Sequence, residues 1–222
     1  FDKDTEKFST QTVSGYKLPT GVINDTAKSG DILNTVAILN YVTDTFYGFN
    51  FGTTMVASAA PFVDEEDKEA YKDDMWGSGA VLSEAYLSYT MKNTKVMVGR
   101  MYLDTPLVAS SGSAMTKQAF EGAVVTNTDL PQTTLAAGVV TKYQARTSSS
   151  VKVNTAGDVG RFDSISKVAN KSLGLTGNAA LDDGDYVYTL LAINKSITGT
   201  TLTAQWAEVA SLVDMYYLEA AY

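Results

Sequence analysis

The chain has 222 residues, no cysteine and no histidine, and a formal net charge of -8. These absences exclude a disulfide framework, thiolate chemistry, His-based triads, haem ligation by His and the usual zinc sites. Scattered Lys and Arg in an acidic chain argue against a nucleic-acid partner.

Residues 1–32 are polar, carry Gly15, Pro19, Gly21 and Gly30, and read as a loop. The opening Phe1-Asp2-Lys3-Asp4 is not a signal peptide. Strand-like alternation runs from Leu33 to about Val42, and Thr43-Asp44-Thr45 is a turn. Next, Tyr47, Phe49, Phe51 and Met55 project to one side, and Gly48, Asn50, Gly52 and Thr54 to the other. Two such strands around a short turn make a hairpin. A long polar segment, 59–80, holds Asp64-Glu65-Glu66-Asp67 and Asp73-Asp74.

Strand 81–91 is the clearest element. Ala85, Leu87, Tyr89 and Met91 share one face; Glu84, Tyr86, Ser88 and Thr90 share the other. After a turn at Lys92-Asn93-Thr94, a strand runs to about Leu103. It sets Met97, Gly99 and Met101 against Val96, Val98, Arg100 and Tyr102. A Ser/Gly/Ala-rich loop fills 104–118. Strand 119–127 turns through Thr128-Asp129-Leu130-Pro131 into strand 133–145. There Leu135, Ala137, Val139 and Tyr143 point outward, with Lys142 and Gln144 opposite. A long loop spans 146–184. Strands 185–194 and 200–208 flank a turn at Ser196-Ile197-Thr198-Gly199, and a last strand runs 214–222.

Hydrophobic residues make up 45% of the chain, yet the mean hydropathy is -0.06. No run approaches the roughly 18 apolar residues of a membrane helix. Strands with an oily face and a wet face, rich in tyrosine, are what an all-β, antiparallel transmembrane β-barrel needs. The connections alternate short and long, as in outer-membrane barrels. A soluble sandwich, the alternative that alternation leaves open, has no reason for that asymmetry. The expectation is one barrel domain over 1–222, with about nine strands of a larger barrel, incomplete at both ends. Tyr41, Tyr47, Tyr143, Trp206 and Tyr222 fit an aromatic girdle in contact with outer-membrane lipid.

The segment Val98 to Val140 resembles the OprD-type porin family, which includes the major outer membrane proteins of epsilonproteobacteria. The resemblance is carried by Gly99-Arg100, Thr105-Pro106-Leu107, Gln118-Ala119-Phe120-Glu121-Gly122 and Leu135-Ala136-Ala137-Gly138. Met101 stands where the family usually has Gln, Lys117 where it has Pro, and Ala119 where it has Ser or Thr. Leu202 to Tyr222 is similar to later strands of the epsilonproteobacterial members. The resemblance implies a complete barrel of about 18 strands and a homotrimer. It also implies that loop 104–118 is a constriction folded into the lumen. Asp104, Ser110, Ser111, Ser113 and Lys117 then line the passage.

A charge facing lipid near mid-bilayer costs about 2–4 kcal/mol. Arg100 is therefore expected to point inward, with Lys142, Glu219 and Glu121, setting a field across the lumen. The acidic run Asp64 to Asp74 and Asp182-Asp183-Gly184-Asp185 offer oxygens to Ca²⁺ but lack EF-hand spacing. They read as solvated charge, so no metal is expected. Gly77-Ser78-Gly79 has no third glycine at Leu82, and no P-loop or nucleophile elbow appears. No cofactor and no catalysis are expected. The function these features support is a water-filled channel for passive diffusion of small hydrophilic solutes and ions. The alternative is a non-channel outer-membrane or cell-surface β-protein, such as an adhesin or structural protein.

Overall fold

The computed structural model describes residues 33, 35–59, 61, 79–112, 116–145, 161–177, 180, 181, 186–209 and 212–222. Within them the chain forms β1 (Thr35–Val42), β2 (Phe49–Ala59), β3 (Gly79–Met91), β4 (Thr94–Met101), β5 (Ala119–Asn127) and β6 (Thr133–Gln144). Then follow β7 (Phe162–Ser164), helix α1 (Ile165–Leu173), β8 (Val187–Asn194), β9 (Thr201–Val209) and β10 (Val213–Ala221). All strands belong to one antiparallel sheet in chain order, an open wall, with β7 paired beside β8 on the far end of β6. The connections β1–β2, β3–β4, β5–β6 and β8–β9 lie at one end. The longer ones lie at the other, together with the brief β9–β10 link.

The register explains the composition of the wall. One row runs Phe49, Tyr89, Val96, Val125, Ala137, Leu190, Trp206, Tyr216 across the sheet. Most of these apolar side chains are substantially exposed, Leu190 at 54% and Tyr216 at 74%. The adjacent row on the opposite side runs Asn50, Ser88, Met97, Val124, Gly138, Thr189, Ala207, Met215. A sheet with bulky apolar groups exposed on one side and small or polar groups on the other suits lipid against water. Tyr47 lies at the short-turn end beside the Phe49–Tyr89 ring pair, whose centroids are 4.6 Å apart, and Tyr222 lies at the same end against Gly199 of the β8–β9 turn. Tyr41 sits near the end of β1.

Two bulges break the alternation. Thr54 pairs with Glu84 but Met55 with Leu82, leaving Ser83 extra. Glu121 pairs with Lys142 but Gly122 with Val140, leaving Thr141 extra. A bulge shifts the phase of every residue beyond it by one. Lys142 therefore joins Val139 on the apolar side. Tyr143 turns to the opposite side, its ring 5.6 Å from that of Phe120. This corrects the expected outward Tyr143 and inward Lys142, and it removes Tyr143 from the girdle.

The expected long loop 146–184 also contains structure. Ser164 caps α1 by accepting from the Lys167 amide, and Gly174 ends it at φ 68°. Only glycine takes that left-handed C-terminal position without a Cβ penalty. The Asn170 carboxamide exchanges two hydrogen bonds with the Leu181 backbone.

In the β5–β6 turn, Asp129 accepts from Asn127 Nδ2 (2.6 Å) and Asn93 Nδ2 (3.0 Å). These bonds hold its carboxyl below the usual aspartate range. A folded-state value below the unfolded one means the turn's added stability is present above the unfolded pKa. It is lost as pH falls through the folded one. Carboxyl NMR titration of Asp129 should move back toward the ordinary value in Asn93→Ala.

Candidate functional site

The site grows from the end of β4. Thr105 and Val108 close a tight turn: Thr105 N and Oγ1 both donate to Val108 O (3.1 and 2.8 Å), and Val108 N donates to Thr105 Oγ1 (3.1 Å). Pro106 between them presets the turn. Ser110 N donates to Leu103 O (2.6 Å) and Leu103 N to Ser110 Oγ (3.1 Å), so residues 103–110 form a narrow hairpin. The return limb is fastened by Gln118. Its Oε1 accepts from Ser111 N (3.0 Å) and its Nε2 donates to Tyr143 OH (2.7 Å).

The hairpin lies on the small-residue side of the wall. Its tip reaches β9, where Leu107 N donates to Gln205 Oε1 (2.9 Å). Gln205 Nε2 donates to Thr105 Oγ1 (3.0 Å) and to Thr189 Oγ1 on β8 (2.9 Å). Val108 packs with Phe120, Val140, Val187 and Ile165 into a buried cluster, flanked by Leu103, Leu107, Tyr143 and Val209. Loop, wall and the start of α1 are thereby fused. The cavity they enclose is apolar, about 370 Å³, and also touches Val168 and Met215.

Toward β3 the same side carries Glu84. Its Oε2 accepts from Thr54 Oγ1 (2.6 Å), which in turn accepts from Asn40 Nδ2 (2.7 Å). Its Oε1 accepts from Tyr102 N (3.2 Å). The neighbouring Tyr86 ring lies over Gly52, where an added Cβ would come within 2.3 Å of it.

Asp104, Ser110, Ser111 and Lys117 are thus brought together on one loop. Asp104 and Lys117 are exposed, and the Lys117 ammonium lies 5.4 Å from the Tyr102 ring centroid. Ser113 lies outside the described residues, as do Asp64 to Asp74 and Asp182 to Asp185. Glu219 stands on β10 opposite Thr203, in the row of small and polar residues. Arg100, Glu121 and Lys142 form a separate group. Arg100 Nε lies 2.9 Å from Glu121 Oε2, and Lys142 Nζ lies 2.6 Å from Glu121 Oε1. The register sets them beyond Val98, Ala123 and Val139, on the apolar side. Met101 and Phe120, next along the strands, face the loop side. For Arg100, Glu121 and Lys142 the register thus differs from the inward placement expected from sequence. Gln205 was not singled out from sequence; only its place on the polar side of β9 is locally visible. Among the described residues no group of acidic side chains is arranged to hold a metal.

A wall apolar on one side, with a loop bonded onto the other, is the build of an outer-membrane β-barrel. Over residues 59–181, more than half of its length, the chain matches the family model described as outer membrane porin, OprD family. The chain belongs to the OprD family, whose members are proteins of the bacterial outer membrane. Solved structures agree on the fold. OccD3 (OpdP) of Pseudomonas aeruginosa matches at TM-score 0.58 and 17% identity, over 86% of this chain and 40% of its own. OccAB3 of Acinetobacter baumannii matches at 0.61 and 16%, over 84% and 45%. OpdK of Pseudomonas aeruginosa, solved with vanillate, matches at 0.60 and 11%, over 84% and 46%. The chain spans less than half the length of these structures. No curated protein matches it.

Proposed function

We propose that the complete protein is a passive diffusion channel for small hydrophilic solutes and ions, and that the 222 residues are wall and constriction of its single barrel domain. The observation that supports this reading is the Gln205 contact, which joins Thr105 and Leu107 of the loop to β9 on the side of the wall with small and polar residues. A loop there narrows a lumen without closing it. Asp104, Ser110, Ser111, Ser113 and Lys117 supply hydrogen bonds and charge of both signs to a permeant. Glu219 adds a carboxylate on the same side. No bond is made or broken, so no enzymatic step is assigned. Outer-membrane lipid contacts the opposite side, and a homotrimer is the assembly proposed.

The full-length protein in a planar bilayer should give stepwise ohmic conductance. Silence with good insertion would favour a non-channel outer-membrane protein. Labelling from within the bilayer should mark Phe49, Leu87 and Leu135 more than Asn50 and Ser88. Equal labelling would remove the lipid-facing wall. Native mass spectrometry in detergent reads the trimer.

A further inference from the structure

We infer that Gln205 is the positioning residue of the constriction, a latch that sets how far loop 104–118 reaches over the lumen; this rests on the channel reading above. Three observations carry it. First, the carboxamide is 3% exposed and every hydrogen it has is committed. Its single carbonyl oxygen takes the Leu107 amide, which lies 98 residues away in the chain. Second, its bonds run to both sides of the contact. Thr105 belongs to the loop and Thr189 to the wall, and Thr189 Oγ1 is itself anchored by donating to Trp206 O (2.9 Å). The latch is therefore referenced to two strands of the sheet, not to one flexible side chain. Third, the loop's other polar fastening, Gln118 to Ser111 N and Tyr143 OH, holds the return limb and not the tip. The Val108 contacts supply burial but no direction. Hydrophobic contact is non-directional, whereas hydrogen bonds fix position.

The acceptor and donor roles separate chemically. Gln205→Leu keeps the volume and leaves the Leu107 amide without its acceptor. Gln205→Glu keeps an acceptor for Leu107 and adds a negative charge beside the passage. In the full-length protein, two readouts follow. Amide hydrogen exchange at Leu107 reports the latch whether or not current flows. Single-channel conductance and reversal potential report the passage.

The expected result for Gln205→Leu is exchange at Leu107 faster by about tenfold, the order of one lost hydrogen bond, with conductance at least roughly doubled and noisier. For Gln205→Glu it is protection at Leu107 with a reversal potential shifted toward cation preference. Unchanged Leu107 exchange and conductance in a folded Gln205→Leu would overturn the latch. If that variant does not assemble, Thr189→Val leaves the Thr105–Val108 turn intact, removes the wall anchor of Gln205 and must itself speed exchange at Leu107; no change there overturns the proposal equally. A wild-type protein that inserts but passes no current removes the channel reading. In that case protection of the Leu107 amide, and its loss in Gln205→Leu, still decides whether the loop is held.

Discussion

Gly122→Ala is expected to leave the wall unassembled. A Cβ at Gly122 would lie 2.0 Å from Val139 O and 3.0 Å from Val140 Cα. These are backbone atoms of the paired strand at the Thr141 bulge, so no side-chain rotation relieves the clash. Its register partner Gly99 is equally constrained: φ is +125°, and a Cβ would meet Ala85 O at 2.2 Å. For Gly99→Ala, backbone strain of about 1–3 kcal/mol adds to an overpacking cost of about 1–3 kcal/mol. Together these are a large part of the stability of an ordinary domain. The paired glycines therefore mark the level at which neighbouring strands' backbones approach too closely for a side chain. Gly138→Ala is the control. Its Cβ would approach Val124 Cγ2 at 3.3 Å, a side-chain atom able to give way. Refolding into lipid vesicles, followed by the heat-modifiable electrophoretic shift, reads assembly. Equal folded yields for Gly122→Ala and Gly138→Ala would remove the close-approach argument.

The strands were legible because alternation is a local signal. Ala85, Leu87, Tyr89 and Met91 fall on one side in the sequence and in the wall alike, and the hairpin turns lie where polar residues interrupt the pattern. Bulges were not legible. Ser83 and Thr141 are ordinary strand residues, and nothing next to them announces an extra position. Yet each inverts the alternation read through it, which is why Lys142 and Tyr143 exchanged sides. The pairing of Arg100 was not legible either, because its counter-charge comes from Glu121 on the neighbouring strand, 21 residues away. The α1 helix has nine residues and follows a three-residue strand. Neither is long enough for periodicity to stand out. The inward fold expected of loop 104–118 was an implication of family resemblance, not of the loop's own composition. Its contact on β9 spans 98 residues, and a local pattern carries no such information.

Glu121→Leu should destabilise the barrel without altering its selectivity. Arg100 and Lys142 both pair with this one carboxylate, while the Arg100 guanidinium lies 4.3 Å from the Phe162 ring centroid. On the apolar side, removing the anion leaves two cations sharing no counter-charge. A lone cation facing lipid costs about 2–4 kcal/mol at mid-bilayer and about 0–1 kcal/mol near the interface. The three side chains are 23–46% exposed, so a loss of about 2 kcal/mol is expected, not the full sum. The triple change Arg100→Met, Glu121→Leu, Lys142→Met should recover most of it. It replaces the whole charged group by apolar surface continuous with Val98 and Ala123, and such replacements are often neutral or stabilising. Denaturant unfolding in vesicles measures the stability, and asymmetric salt across a planar bilayer measures selectivity. Because the register sets the group on the side opposite the loop tip at Leu107 and Val108, reversal potential should be the same in wild type, single and triple variants. A shifted reversal potential with unchanged stability would return Arg100, Glu121 and Lys142 to the lumen and overturn the sidedness read from the register.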